Sequence, residues 1–313
     1  MSEAKRSAAS RAGENMRVPA VSIGLPTYNR AELLAGVLDN FRRQTFEDFE
    51  LIVSDNASPD PEVARLCEAL ASEDPRIRYV RHDKDIGMMG NFWFVYRQAR
   101  APYFMWASDD DVWPRDFIAR GVAALERERS FDAWFCQVVN INSAGDVIRT
   151  YPSNTRFNSS RSKLRDLVRF LWEPEVMAKC LLLYALYRRN ALEGVVGALQ
   201  SWPYTWGLDN AVAYGFLCRH AIVIEDDIAL GKRIHTQAKT YRVDDPRSAV
   251  YPWSEAPIYF KSLLAAARGT RYAPLTAAVL AVRWLYDRLY HERIKLVIRL
   301  RRVGLLPRAT EPG

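Results

Sequence analysis

Apolar residues fall along the chain in short runs bounded by turn formers, at 21–25, 50–54, 77–80, 103–107 and 133–139. Runs this short and this largely apolar predict buried strands. Between them Leu33, Leu34, Val37, Leu38 and Phe41 recur at helical spacing over 30–44, Val63, Leu66 and Leu70 do so over 61–72, and a third helix is expected over 91–100. Strand and helix alternate up to residue 130, which predicts an α/β fold with a mostly parallel, Rossmann-like central sheet and helices on both faces.

The two ends of the chain carry other patterns. Residues 1–18, rich in Ala, Ser and charge without an apolar period, read as a disordered leader. Toward the C-terminus, Val282, Leu285, Leu289, Leu296, Leu300 and Val303 share about 60° of arc at 100° per residue, while Arg283, Arg288, Lys295, Arg299, Arg301 and Arg302 fall elsewhere on the wheel. A basic amphipathic helix is therefore expected within a C-terminal helical segment, 243–313, with Trp284, Tyr286 and Tyr290 near its start.

Charge sharpens the division. The net charge is +7, yet from Lys261 onward eleven Lys/Arg face three acids, leaving 33 basic and 34 acidic residues before it. The body is electrically balanced, which disfavours a nucleic-acid-binding module, and GxGxxG, GxxxxGK[ST] and zinc-finger spacings are missing from the sequence. The basic excess of 275–303 instead suits an anionic membrane surface, with packing on the body or a dimer contact as the alternatives. With 49% hydrophobic and 26% charged residues the composition is that of a globular protein. Four cysteines, no two closer than 38 positions, offer no metal or redox spacing and read as reduced thiols. There is no apolar h-region at the N-terminus and no charge-free stretch of about 18 apolar residues, so a cytoplasmic protein, peripheral on the membrane's inner face at most, is expected.

In open α/β sheets ligands sit beyond the carboxyl ends of the strands. Three such ends are chemically distinctive: Pro26-Thr27-Tyr28-Asn29-Arg30, Asp55-Asn56-Ala57-Ser58-Pro59-Asp60 and Ser108-Asp109-Asp110-Asp111. Three consecutive carboxylates repel one another unless a cation neutralises them, and hard divalent ions such as Mg²⁺ or Mn²⁺ take oxygen ligands alongside substrate phosphates. An aromatic face at Tyr28 can stack on a base, and the Asp55 carboxylate can accept hydrogen bonds from base or ribose. Taken singly, each segment reads more readily as a turn or helix cap; their order and positions are what matter.

The ordered series VSIGLPTYNRAELL (21–34), FELIVSDNASPD (49–60), IRYVRHDKDIGMMGNF (77–92) and APYFMWASDDDVWPRDF (101–117) resembles the family 2 glycosyltransferases of the GT-A fold. The resemblance is strong over 20–130 and thinner to 242, and implies a GT-A domain over 19–242 with a nucleotide-sugar half (19–130) and an acceptor half (131–242). It implies a donor site of Pro26, Thr27, Tyr28, Arg30, Asp55, Asn56, Gly87, Asn91, Asp109, Asp110 and Arg233, and a divalent metal, Mn²⁺ or Mg²⁺, on Asp111, Asp109 and His235. Ser108 stands where many relatives have Asp, and Asp85 where Asn is frequent. Trp206-Gly207-Leu208-Asp209-Asn210 falls where the family carries its acidic motif, making Asp209 the expected catalytic base; an ordinary helix N-cap is the other reading. Arg233-Ile234-His235 resembles the family's late Arg-x-His segment, and Glu225-Asp226-Asp227 reads as the strand-end turn before it.

The implied activity is transfer of a sugar from a UDP-, dTDP- or GDP-sugar to a hydroxyl of a glycan or lipid-linked saccharide, with inversion, in bacterial surface polysaccharide synthesis. Two alternatives stay open: an inactive membrane-docked glycan-binding or scaffold protein, and a nucleotidyltransferase, although 26–30 contains no glycine for a phosphate loop.

Overall fold

A computed structural model describes residues 17–151, 154–158, 162–174, 177–234 and 256–302. Most of the leader, His235, Val303 and the boundary at 242/243 lie outside the described residues. In chain order the elements are β1 (Val21–Thr27), α1 (Ala31–Arg42), β2 (Phe49–Asp55), α2 (Pro61–Glu73), β3 (Ile77–Arg81), α3 (Gly87–Gln98), β4 (Tyr103–Trp106), α4 (Phe117–Arg127), β5 (Ala133–Ile141), β6 (Val147–Thr150), α5 (Lys163–Trp172), β7 (Leu186–Arg188), α6 (Glu193–Leu199), α7 (Leu208–Arg219), β8 (Ile222–Arg233), α8 (Ala256–Ala267) and α9 (Ala273–Arg302). They fall into two compact units: Met1–Asp110 with Arg115–Ala119 and Leu186–Asn190, and Asp111–Pro114 with Arg120–Ala185 and Ala191–Gly313.

In the first unit the strands run β3-β2-β1-β4-β7. All pairs are parallel except β4 with β7. Every residue of β2 is buried and so are all but one of β1, the signature of strands covered by helices on both faces. The register aligns Thr27 with Asp55 and Asp55 with Arg81, so three polar residues end their strands at one level. Pairing of β1 with β4 stops at Gly24, two residues before Pro26, whose missing N–H therefore interrupts no ladder on that side. Trp106 closes the core by stacking on Phe92 of α3 at 4.5 Å and meeting Phe104 edge-on at 4.7 Å.

At the opposite strand ends a buried ionic knot forms around Glu50. Its carboxylate accepts from Ser22 Oγ at 2.6 Å and from Arg78 and Arg100 at 3.0 Å each. A buried carboxylate is tolerable when cations and a hydroxyl neutralise it together.

In the second unit β5 pairs antiparallel with β6 and parallel with β8. Helix α7 is buried almost all round, as its lack of an amphipathic period requires. The acidic run Glu225-Asp226-Asp227 does not end a strand. Instead β8 continues to Arg233, and the register jumps from Ile224 opposite Phe135 to Ala229 opposite Gln137. Residues 225–228 thus bulge opposite Cys136, and Arg120 braces the bulge by pairing with Glu225 at 2.9 Å and Asp227 at 2.6 Å. Helix α3 starts at Gly87 rather than at residue 91; Gly87, at φ +77°, makes the left-handed entry that the segment needs.

Candidate active site

The first unit gathers most of the expected donor-site residues at the carboxyl ends of its strands. Thr27 donates its hydroxyl to Asp109 Oδ2 at 2.9 Å, and one Arg30 nitrogen bridges Asp109 at 3.1 Å and Asp110 at 3.2 Å. Asp109 and Asp110 are 8% and 6% exposed. Burial pushes the Asp109 carboxyl above its ordinary pKa, opposed by the Arg30 charge and the Thr27 hydroxyl. Tyr28 stands free of this cluster, about half exposed, as a stacking face must be. Its neighbour Asn29 takes φ 56°, which its side chain supports by accepting from the Asp60 N–H.

Asp55 is fully buried. Its Oδ1 accepts from the Ser58 N–H at 2.8 Å, its Oδ2 from the Tyr79 hydroxyl at 2.8 Å, and Arg81 stands 3.7 Å away. Burial, and then this bond to Asp55, raise the Tyr79 phenol so that it stays protonated as donor. Asn56 donates to Asp85 and accepts from the Ile86 N–H, fixing the turn that leads into Gly87. Asn91 is buried in α3, accepts from Ser54 Oγ and donates to the Ser54 carbonyl, tying helix to strand end. Ser54 Oγ also lies 2.9 Å from His82 Nε2. Tyr79, Arg81, His82 and Lys232 were absent from the expected set. The first three lie within the 77–92 segment, but single-residue chemistry gave no reason to favour them.

In the second unit Asp111 is 1% exposed and is met by Lys232 and by the Arg233 N–H. The Arg233 guanidinium turns to the carbonyls of Asn142 and Ser143, both at 2.8 Å. Asp209 lies in the first turn of α7, part-exposed, its Oδ1 accepting from the Asn210 N–H at 2.7 Å. The preceding Gly207 enters the helix at φ +74°, and a Cβ there would come within 2.9 Å of Tyr259. Of the tryptophans, Trp93 is core, Trp202 and Trp206 are partly buried, and Trp172 is exposed.

Asp109 and Asp110 draw in a guanidinium in the first unit, and Asp111 draws in an ammonium group in the second; carboxylate oxygens have the charge and hardness that suit Mg²⁺ or Mn²⁺. Among the described residues no three carboxylate, imidazole or thiol groups converge to hold an ion. One or two carboxylates are the share that leaves coordination positions to water and substrate phosphates.

A model of the family Glycosyl transferase family 2 matches residues 22–196, over half of the chain. The chain belongs to glycosyl transferase family 2. One relative in this family is the chondroitin synthase of Escherichia coli, 28% identical over 133 residues, or 42% of this chain and 19% of that protein. The chain thus spans less than a fifth of that relative's length. Among solved structures it is similar to Staphylococcus aureus TarS 1–349 in complex with UDP-GlcNAc, at TM-score 0.58 and 14% identity, covering 86% of this chain and 72% of that one. It is also similar to the mannosyltransferase PcManGT of Pyrobaculum calidifontis in complex with GDP-Man and Mn²⁺, at TM-score 0.51 and 19% identity, covering 93% and 84%. The family 2 chain therefore has the GT-A fold: a mostly parallel central sheet with helices, followed by a C-terminal helix. Among the described residues no helix is long and apolar enough to cross a membrane.

Proposed function

We propose that this protein transfers a sugar from a nucleoside-diphosphate sugar to a hydroxyl of a glycan or lipid-linked saccharide, with inversion at the anomeric carbon. The observation that carries the reading is the cluster of Thr27, Arg30, Asp109 and Asp110 at the strand ends of a family 2 chain. In this reading residues 19–130 hold the donor and 131–242 the acceptor. Tyr28 stacks on the base, and Asp55, Asn56 and the turn at Gly87 shape the nucleoside side, Asp55 through lone pairs beyond those given to Ser58 and Tyr79. Asn91 acts by fixing that strand end, and Pro26 by leading β1 into its last residue, Thr27.

Asp109, Asp110 and Arg30 face the ribose and phosphates. Asp111, with Asp109 and with His235 from outside the described residues, would hold Mn²⁺ or Mg²⁺, which when bound offsets charge on the leaving diphosphate. Arg233 is the cation of this reading for the pyrophosphate. Asp209 takes the proton of the acceptor hydroxyl as that oxygen bonds to the anomeric carbon; the bond from that carbon to the phosphate oxygen breaks, and the nucleoside diphosphate departs with the electron pair. Bacterial surface polysaccharide synthesis in the cytoplasm is the setting that fits relatives such as chondroitin synthase and a teichoic acid polymerase, as well as the free cysteines.

Thermal-shift titration of UDP, GDP, dTDP and CDP, each with and without Mn²⁺, tests the reading on wild type and Asp111→Ala. Stabilisation by one diphosphate that needs the metal and is lost in the variant is the expected result. No shift with any nucleotide at saturating concentration would favour the scaffold alternative.

A further inference from the structure

Among the described residues, helix α9 packs one face on its own unit and leaves an apolar face exposed. On the inner face Thr276, Leu280 and Arg283 are buried. Thr276 Oγ1 lies 2.7 Å from the Tyr214 hydroxyl, and Arg283 donates to the Leu171 carbonyl while its guanidinium lies 5.9 Å from the Tyr259 ring. These contacts account for the attachment of the helix to its own unit.

The outer face is the arc marked by the sequence, and among the described residues most of it is exposed. Val282, Leu285, Tyr286, Leu289 and Leu296 are each 52–63% exposed. A single exposed leucine means little, but five large apolar side chains on one face form a patch, interrupted between Leu289 and Leu296 by Arg293 and Glu292. The patch runs about 20 Å along the helix at 1.5 Å per residue. Aromatic rings extend it: Trp172 of α5 meets Tyr286 at 5.6 Å, and Tyr286 stacks on Tyr290 at 6.4 Å. Along one edge of the strip, Arg288, Lys295 and Arg299 lie about 40–80° around the helix from Leu285. Arg288 sits over the Trp284 ring at 5.3 Å.

We infer that this strip is a docking surface for an anionic lipid bilayer, with α9 lying in the headgroup plane. An apolar face flanked by Arg and Lys, with Trp and Tyr at its border, matches the three zones of a leaflet surface: acyl chains, interfacial belt and anionic headgroups. Charge selects this occupant over a second copy of the chain. The helix carries seven Lys/Arg against two acids, so pairing two strips would set like charges together. Lipid binding deepens the proposed use of a lipid-linked acceptor, yet it stands on residues apart from the donor site and survives if that reading fails.

The test is flotation of the full chain with phosphatidylcholine vesicles, with and without phosphatidylglycerol. Wild type should float only with the anionic vesicles and be released by high salt. Leu285→Gln/Leu289→Gln should weaken binding roughly tenfold or more, and Arg288→Gln/Lys295→Gln/Arg299→Gln roughly a hundredfold at low salt. All substituted positions are exposed, so thermal melts should match wild type. Failure of wild type to float, or equal binding by the variants, overturns the inference. So does a wild-type dimer in light scattering that the leucine variant converts to monomer without any vesicle binding. Nucleotide thermal shifts on the same samples keep the two readings apart: vesicle binding without a nucleotide shift removes the donor reading alone.

Discussion

Lys232 Nζ donates to both carboxylate oxygens of Asp111, at 3.1 and 3.2 Å, across 121 positions of sequence. The Arg233 N–H adds a third bond at 3.0 Å. An ion arriving at Asp111 must share that carboxylate with an ammonium group already there. Lys232→Met should therefore tighten Mn²⁺ binding to the nucleotide-free protein, by roughly tenfold for a bond to a charged group. Electron paramagnetic resonance titration of free Mn²⁺ reads this directly; equal or weaker affinity in the variant would show that Lys232 does not compete.

Asp209→Asn keeps an oxygen for the Asn210 N–H but cannot take a proton. Turnover should drop by about 10²–10⁴ while the nucleotide-induced shift in melting temperature is unchanged. Loss of nucleotide binding, or near-normal turnover, would remove Asp209 from the role of base.

The Glu50 knot is the part of the first unit most sensitive to loss of a partner. Glu50→Ala leaves Arg78 and Arg100 facing each other without their carboxylate and strands the Ser22 hydroxyl. Because both arginines are about one-third exposed, the cost should fall to about 2–3 kcal/mol, below that of a fully buried pair. Urea unfolding measures it, and a change within experimental scatter would mean that the knot is solvated.

Asp74 ends α2 and receives Arg76 through both oxygens, at 3.0 and 2.8 Å. The guanidinium hydrogen bonds, the leading cause, hold its carboxyl below the ordinary value. A depressed folded pKa means stability that is fully present above the unfolded pKa of about 3.9 and is lost as pH falls through the folded value. Asp74→Asn should cost about 1 kcal/mol at neutral pH, after allowance for solvent at Arg76. The gap between the two melting curves should close as pH is lowered below about 3.9; a gap independent of pH would assign the effect to the helix end instead.

How much was legible depended on whether a feature is local. Runs such as 21–25 and 50–54 announced β1 and β2 because a strand covered on both faces is mostly apolar, its few polar positions, such as Ser22 and Glu50, being buried against partners of their own. The start of α3 was missed because Ile86-Gly87-Met88-Met89-Gly90 has the glycines of a loop. Glu225-Asp226-Asp227 looked like a turn because its compensating charge, Arg120, lies 105 positions away from Glu225. The same distance problem hid the partners of the aspartate run: Arg30 is 79 positions from Asp109, and Lys232 is farther still from Asp111. Arg283, placed on the polar part of the wheel by periodicity, is buried because its own unit supplies a carbonyl and aromatic faces for it.

The bulge in β8 has a consequence for how the chain tolerates change in length. Ladder pairing resumes at Ala229 opposite Gln137 and runs unbroken to Arg233 opposite Ile141. Because 225–228 are looped out before that point, a residue gained or lost among them alters the bulge and leaves the downstream alternation intact. Lys232 and the Arg233 N–H keep their bearing on Asp111 whatever the size of the loop, so the acidic run is a length buffer set just ahead of the positions that need fixed register.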